Sequence, residues 1–214
     1  ERPVWRRLDR CNPPYVHRRP CVWTLGSRKM PRYLQQDFQF IDEFVRLLAS
    51  TIAHAPSLAD SVPAAQFLAM ITRPENTYFL RSFEALDCCP KATPQPETLA
   101  FQRFTCDARQ SQKSVRMLAI FCVAEWVYLE WATPFAERAD DRPFWLGETI
   151  RLHCGDGFEW VVTYLRGQLD QVWEGLDEGT RDEVEAVFCE AVRLERGFFD
   201  AAWAGFPVAG DTFT

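Results

Sequence analysis

Apolar residues recur along most of the chain at three- and four-residue steps, the period of an α-helix with one buried face. Tyr33, Leu34, Phe40, Ile41, Phe44 and Leu48 form one such stripe, which predicts a helix from just after Pro31 to before Pro56. A second helical stretch is predicted from Pro63 to Leu86, broken or kinked at Pro74, and the proline-rich segment 88–96 reads as a loop. Further helices are expected at 97–108, at 114–135 (strongly apolar), at 144–153, at 158–173 and at 180–203. Gly155-Asp156-Gly157 separates two of them, and Thr180 with Glu183 has the spacing of a capping box. No period-two strand and no internal repeat is legible. The pattern describes an all-α chain: a single multi-helix bundle over residues 31–204, with an irregular N-terminal arm and first helix in 1–30 and a tail at 205–214.

Three acids interrupt the stripes that should face the core. Asp37 has Tyr33 and Leu34 behind it and Phe40 and Ile41 ahead. Glu125 follows Phe121 and Cys122 by one turn and precedes Tyr128 and Leu129 by another. Glu195 lies among Ala191, Val192, Phe198 and Phe199. An unpaired buried carboxylate costs several kcal/mol or holds its proton, so inward acids need partners or a polar cavity. One of them alone would be a structural ion pair; three on separate apolar stripes point to a shared pocket. Carboxylates in an aromatic pocket suit a cationic or electron-rich heterocycle with amino groups, which donate hydrogen bonds to them.

Composition narrows the classes. With 30 acids against 24 bases the net charge is −6, which argues against nucleic acid as a partner. No apolar run reaches the ~18 residues of a membrane span. Eight Trp and seventeen Phe fit a core or pocket with flat walls. The eight cysteines include no C-x-x-C pair and no secretory leader is legible, so they read as mostly buried free thiols of a cytoplasmic protein. The three histidines, 17, 54 and 153, never follow a Glu by three, which argues against a di-iron site, and no metal or cofactor is expected. Cys122, one turn before Glu125, reads as a small buried residue, with a nucleophile as the alternative.

Five segments resemble, in order, the motifs of the TenA/thiaminase II family. Tyr33-Leu34-Gln35-Gln36-Asp37-Phe38-Gln39-Phe40-Ile41 is similar to its Y-L-x-Q-D-Y-x-F hallmark. Pro94-Gln95 with Phe101-Gln102-Arg103-Phe104 resembles its third-helix region, and Ala124-Glu125-Trp126-Val127-Tyr128-Leu129-Glu130 the central helix of its glutamate class. Cys154-Gly155-Asp156-Gly157-Phe158 resembles the W-G-N-D-G-F segment of plant-type members, and Leu194-Glu195-Arg196-Gly197-Phe198-Phe199-Asp200 the C-terminal L-E-x-x-F-W-E/D signature. The resemblance implies a haem-oxygenase-like bundle without haem. It implies hydrolysis of 4-amino-5-aminomethyl-2-methylpyrimidine, or its N-formyl form, to the hydroxymethyl compound in thiamin salvage. Glu125 stands where the cysteine class has its nucleophile, as base or as nucleophile. Asp37 would hold the pyrimidine amino group, and Glu195 would handle protons at the leaving amine. Phe40 and Phe101 would flank the ring where many relatives carry tyrosine, and Tyr33 and Tyr128 would complete the substrate-binding set. A small-molecule pyrimidine partner and self-association as a dimer or tetramer follow from the same resemblance. A non-catalytic pyrimidine binder or regulator is the alternative, motivated by the two phenylalanines.

Overall fold

The computed structural model describes residues 3–8, 10–11, 26, 28–55 and 57–206, and among them it is built of helices and connecting turns. In chain order these are α1 (Pro3–Leu8), α2 (Met30–Asp37), α3 (Ile41–Ala53), α4 (Leu58–Met70), α5 (Asn76–Ala85), α6 (Pro96–Gln110), α7 (Ser114–Ala132), α8 (Phe144–Leu152), α9 (Asp156–Trp173) and α10 (Glu178–Ala204). None of them is long and apolar enough to cross a membrane.

Two of the expected helices are interrupted. The 31–55 stretch passes through a 3-10 turn at Phe38–Phe40 between α2 and α3. The second stretch starts earlier than expected, at Leu58, because the Ser57 side chain accepts from the Asp60 N–H at 3.3 Å; Pro63 is carried inside α4. At Pro74, which has no N–H to donate, the ladder opens into a π-turn over Ile71–Glu75 before α5 begins. The 114–135 stretch ends its α-helix at Ala132 and tightens into a 3-10 turn over Thr133–Arg138. Gly155 makes the break before α9 with φ 79°, a left-handed conformation that L side chains rarely adopt. The capping-box expectation at Thr180 is corrected: Asp177 caps α10, its carboxylate accepting from the Thr180 N–H at 2.8 Å, because the helix begins two residues earlier.

α7 is the central element. It is apolar around its whole circumference from Met117 to Ala124, all buried, so other helices must cover it on every side. α9 and α10 pack along it, and α3 and α6 also touch it. α1 lies on α10: Val4, Trp5 and Leu8 are buried, and Arg7 pairs with Glu178, Asp182 and Glu185. The Trp5 ring meets Trp126 edge-on at 5.8 Å, and the Arg166 guanidinium lies 4.3 Å and 4.6 Å from the two ring centres.

α1 and α10 are also joined by a disulfide between Cys11 and Cys189, 178 residues apart. This corrects the expectation of free thiols at these two positions, since helix packing brings together cysteines whose spacing in sequence carries no signal. Of the free cysteines described (88, 89, 106, 122 and 154) only Cys122 is buried, which corrects the expectation that most would be. Cys21 lies outside the described residues.

The core falls into two clusters, one around α3, α7, α9 and α10 and one around α2, α5, α8 and the end of α10. Phe40, Ile41 and Val127 pack against both. The polar cavity described next lies at this seam.

Candidate active site

The cavity is lined by Asp37, Phe40, Ile41, Phe44, Glu75, Phe79, Phe101, Ala124, Glu125, Tyr128, His153 and Glu195, and encloses about 60 Å³. The three acids singled out in the sequence therefore share one space, with Phe40 and Phe101 as adjoining aromatic walls whose ring centres are 5.3 Å apart.

Each acid is held by a different element. Asp37 ends α2, and the residue before it fixes its register. The buried Gln36 amide accepts from the Gln95 N–H at 2.8 Å and the Thr98 hydroxyl at 2.7 Å, and donates to the Thr93 carbonyl at 3.1 Å. Gln36 thereby binds α2 to the start of α6, the helix that carries Phe101, through the N–H of its N-cap residue and the Thr98 hydroxyl. Gln102 of α6 donates to the Gln39 carbonyl at 2.8 Å and locks the same pair from the other side. Glu125 sits on α7 directly after its fully buried run, and Glu195 on α10 faces it across the seam; they are 8% and 7% exposed. Among the described residues no lysine or arginine lines the cavity.

A hydroxyl relay serves Asp37. Tyr128 donates to Asp37 Oδ1 at 2.9 Å, and Tyr33 lies 3.2 Å from the Tyr128 oxygen. Because Tyr128 gives its proton to the carboxylate, Tyr33 is the donor in the second contact. Tyr128 lines the cavity as expected; Tyr33 does not, and acts from behind it. Cys122 does not line it either. It is fully buried, and burial pushes its thiol well above the ordinary range, with Arg166 and Asp170 as the nearest charges that bear on it. That setting suits a packed core residue and not a nucleophile.

Two titratable cavity residues carry no assignment from the sequence. Glu75 enters from the π-turn between α4 and α5, and His153 from the C-terminal end of α8, with its Nε2 4.0 Å from Glu75 Oε1. His153 Nδ1 donates to the Thr149 carbonyl at 2.8 Å, which fixes the tautomer with the lone pair on Nε2. Its ring lies 4.7 Å from that of Tyr128. The spacing Ile71, Glu75, Phe79, Phe83 is a helical stripe of the same kind as the other three and would have found Glu75.

Four carboxyl groups in one low-dielectric space cannot all ionise. Desolvation raises Asp37 to about 6, although the Tyr128 hydroxyl, by donating to its charged form, and the Tyr33 hydroxyl behind it hold it down. Glu75 is pushed up to about 8 by desolvation and the Asp37 charge, and Glu195 to about 8 for the same two reasons. Glu125 is raised well above the ordinary range by desolvation, then by Glu75 and Glu195. Burial lowers His153 to about 4, so its ring is neutral at pH 7. The unliganded site thus holds one ionised carboxylate beside three protonated ones, which gives it an acceptor for an amino group and proton donors for a leaving group.

Solved structures share this fold. A TenA homologue from Pyrococcus furiosus is 14% identical, with 93% of this chain and 97% of that one covered and a TM-score of 0.78. A TenA homologue from P. horikoshii OT3 is 19% identical over 94% and 93%, with a TM-score of 0.73. A candidate TenA-like thiaminase from Sulfolobus solfataricus P2 is 15% identical over 94% of both chains, with a TM-score of 0.69. A search of the curated proteins finds no match to the chain. The sequence profile of the TENA/THI-4/PQQC family matches residues 24–205, most of the length over which the helices, the cavity and its carboxyl groups are built. The chain belongs to the TENA/THI-4/PQQC family.

Proposed function

We propose that the protein is a thiaminase II-like hydrolase of thiamin-derived pyrimidines, converting 4-amino-5-aminomethyl-2-methylpyrimidine, or its N-formyl form, to the hydroxymethylpyrimidine in thiamin salvage. The observation that carries this reading is the convergence of Asp37, Glu125 and Glu195 on one aromatic cavity that, among the described residues, no lysine or arginine lines. A ring carrying amino groups supplies the donors and the positive charge such a site lacks. In the proposed reaction water replaces the exocyclic amine, so that R–CH2–NH2 and H2O give R–CH2–OH and NH3; the N-formyl form first takes a water at its formyl carbon and loses formic acid to give the same amine. The pyrimidine lies against Phe40 and Phe101, and its 4-amino group donates to Asp37, which Tyr128 and Tyr33 keep ionised. Glu195 handles the protons of the departing amine, which binds as the ammonium and leaves as NH3. Glu125 stands at the attacking position: once the positive charge of the bound ligand has drawn its proton off to solvent, it acts as base for the water or as nucleophile toward the methylene carbon. The seat is narrow before binding, so a ring must move the flanking phenylalanines as it enters. Self-association as a dimer or tetramer in the cytoplasm belongs to the same reading, and sedimentation velocity tests the assembly.

The test is ammonia release from the aminomethylpyrimidine by the parent and by Glu125→Gln, which keeps size and hydrogen bonding but neither base nor nucleophile. The expected result is steady release by the parent and none by the variant. Full activity in the variant refutes the role of Glu125. A second reading, a pyrimidine binder without turnover, draws on Phe40 and Phe101, whose rings bring no hydroxyl to the cavity wall. Tight binding of the hydroxymethylpyrimidine with no ammonia released from any aminopyrimidine favours it.

A further inference from the structure

Glu75 is the cavity carboxylate that the proposed reaction does not use. Its position is built by the chain: Pro74 opens the π-turn, and the turn sets Glu75 in phase with Ile71 and Phe79 on the inward face. Its side chain is 23% exposed and lines the same wall as Asp37 and Glu125. The only basic side chain within 4.0 Å among the described residues is His153. That ring gives its Nδ1 proton to the Thr149 carbonyl and presents Nε2, a lone pair, toward Glu75. The neighbour therefore offers no compensating charge. A carboxylate aimed into a cavity whose described lining holds other carboxyls and no lysine or arginine is completed by a cation that arrives with the ligand.

We propose that Glu75 is a specificity-determining residue, selecting ligands that carry a positively charged amino group over ligands of the same shape that are neutral. An alkylammonium beside Glu75 forms a charge-assisted hydrogen bond and drives the carboxyl proton off to solvent, so the carboxylate becomes fully charged when the ligand binds. The raised affinity of the empty site's carboxyl for its proton fits this exchange. A neutral alcohol of the same outline gains nothing from it. After the amine has left, the product no longer matches Glu75 and is released more easily. The inference rests on the pyrimidine reading for the choice of ligand.

The experiment uses two probes at pH 7.5, 4-amino-5-aminomethyl-2-methylpyrimidine and its hydroxymethyl counterpart, with the parent, Glu75→Gln and Glu75→Asp. For the amine, kcat and KM are measured where ammonia is released, and Kd by calorimetry where it is not; for the alcohol, Kd is measured. The expected result is a parent that prefers the amine. Glu75→Gln raises KM or Kd for the amine about tenfold or more, as the loss of a charge-assisted hydrogen bond dictates, and leaves alcohol binding and kcat within about threefold. Glu75→Asp recovers part of the preference. A parent that binds both probes alike or neither, a Gln variant that weakens both equally or changes nothing, or a collapse of kcat at constant KM each overturns the assignment. Should the Gln variant fail to fold by circular dichroism, an Asp variant with undiminished preference overturns it as well. A parent that prefers the amine by Kd without releasing ammonia keeps the Glu75 assignment, provided Glu75→Gln abolishes the preference, while refuting hydrolysis.

Discussion

Tyr128→Phe isolates the electrostatics of the site. The substitution removes one oxygen, which donates to Asp37 Oδ1 at 2.9 Å, and leaves the ring in place. A hydrogen bond to a charged group contributes about 1.5–3 kcal/mol, and one pKa unit corresponds to about 1.4 kcal/mol. Losing the donor should therefore move Asp37 from about 6 to roughly 7–8. The sign is upward because the hydroxyl favours the ionised form. For a shift of about 1.5 units, the ionised fraction at pH 6.5 falls about eightfold, while at pH 9 both proteins are ionised. The ratio of kcat/KM for variant and parent, followed across pH, reports this free-enzyme group directly. It should be near one-eighth at pH 6.5 and approach a constant at high pH. Tyr33, whose hydroxyl is 3.2 Å from the lost oxygen, can turn its donor toward Asp37 and blunt the shift, so the Tyr33→Phe/Tyr128→Phe pair should shift further. An acid limb that stays in place in both the single and the double variant, with helix content and Tm retained, refutes the relay.

Glu75 and Glu195 hold their protons up to about pH 8 when folded and release them near pH 4.3 when unfolded, so the folded state binds more protons between these limits. Their contribution to stability is fully present below the lower limit and is lost as pH rises through the upper one. Ligand-free protein should accordingly melt about 5 °C or more lower at pH 8.5 than at pH 5.5, and a flat or rising Tm contradicts the clustered carboxyls. Trp5→Ala removes the ring that packs on Trp126 and Arg166, and at about 3–5 kcal/mol for a buried tryptophan it should lower Tm by about 10 °C in a thermal melt; a change under 2 °C would mean α1 does not belong to the core. Cys122→Ala should keep ammonia release within about twofold, since a thiol in this apolar setting is not a nucleophile; loss of turnover in a folded variant would restore it as one.

What the sequence shows of this structure depends on whether a signal is local. The stripes of α7 and α10 are long and uninterrupted, so the positions of Glu125 and Glu195 on them could be read without coordinates. Asp37 was legible for the same reason, although the helix that carries it stops at the next residue and restarts after a 3-10 turn. Glu75 is harder to read because Pro74 breaks the helix immediately before it, and the inward residue lies at that break. The α10 cap was misplaced by one turn: Asp177 and Thr180 are both good capping residues, and only the coordinates show which N–H is satisfied. The Cys11–Cys189 pairing and the Gln36 bridge to Gln95 and Thr98 are tertiary contacts across 178 and about 60 residues, and no period or spacing encodes them.

The account stands on the claim that the seam between the two core clusters is a pyrimidine site. A crystal structure with bound 4-amino-5-hydroxymethyl-2-methylpyrimidine tests it most directly. The expected result is the ring lying against the wall that Phe40 and Phe101 form, its 4-amino nitrogen within hydrogen-bonding distance of Asp37, and its 5-substituent toward Glu125 and Glu195. A ring seated elsewhere on the molecule, or in the cavity with its amino group turned away from Asp37, would contradict it.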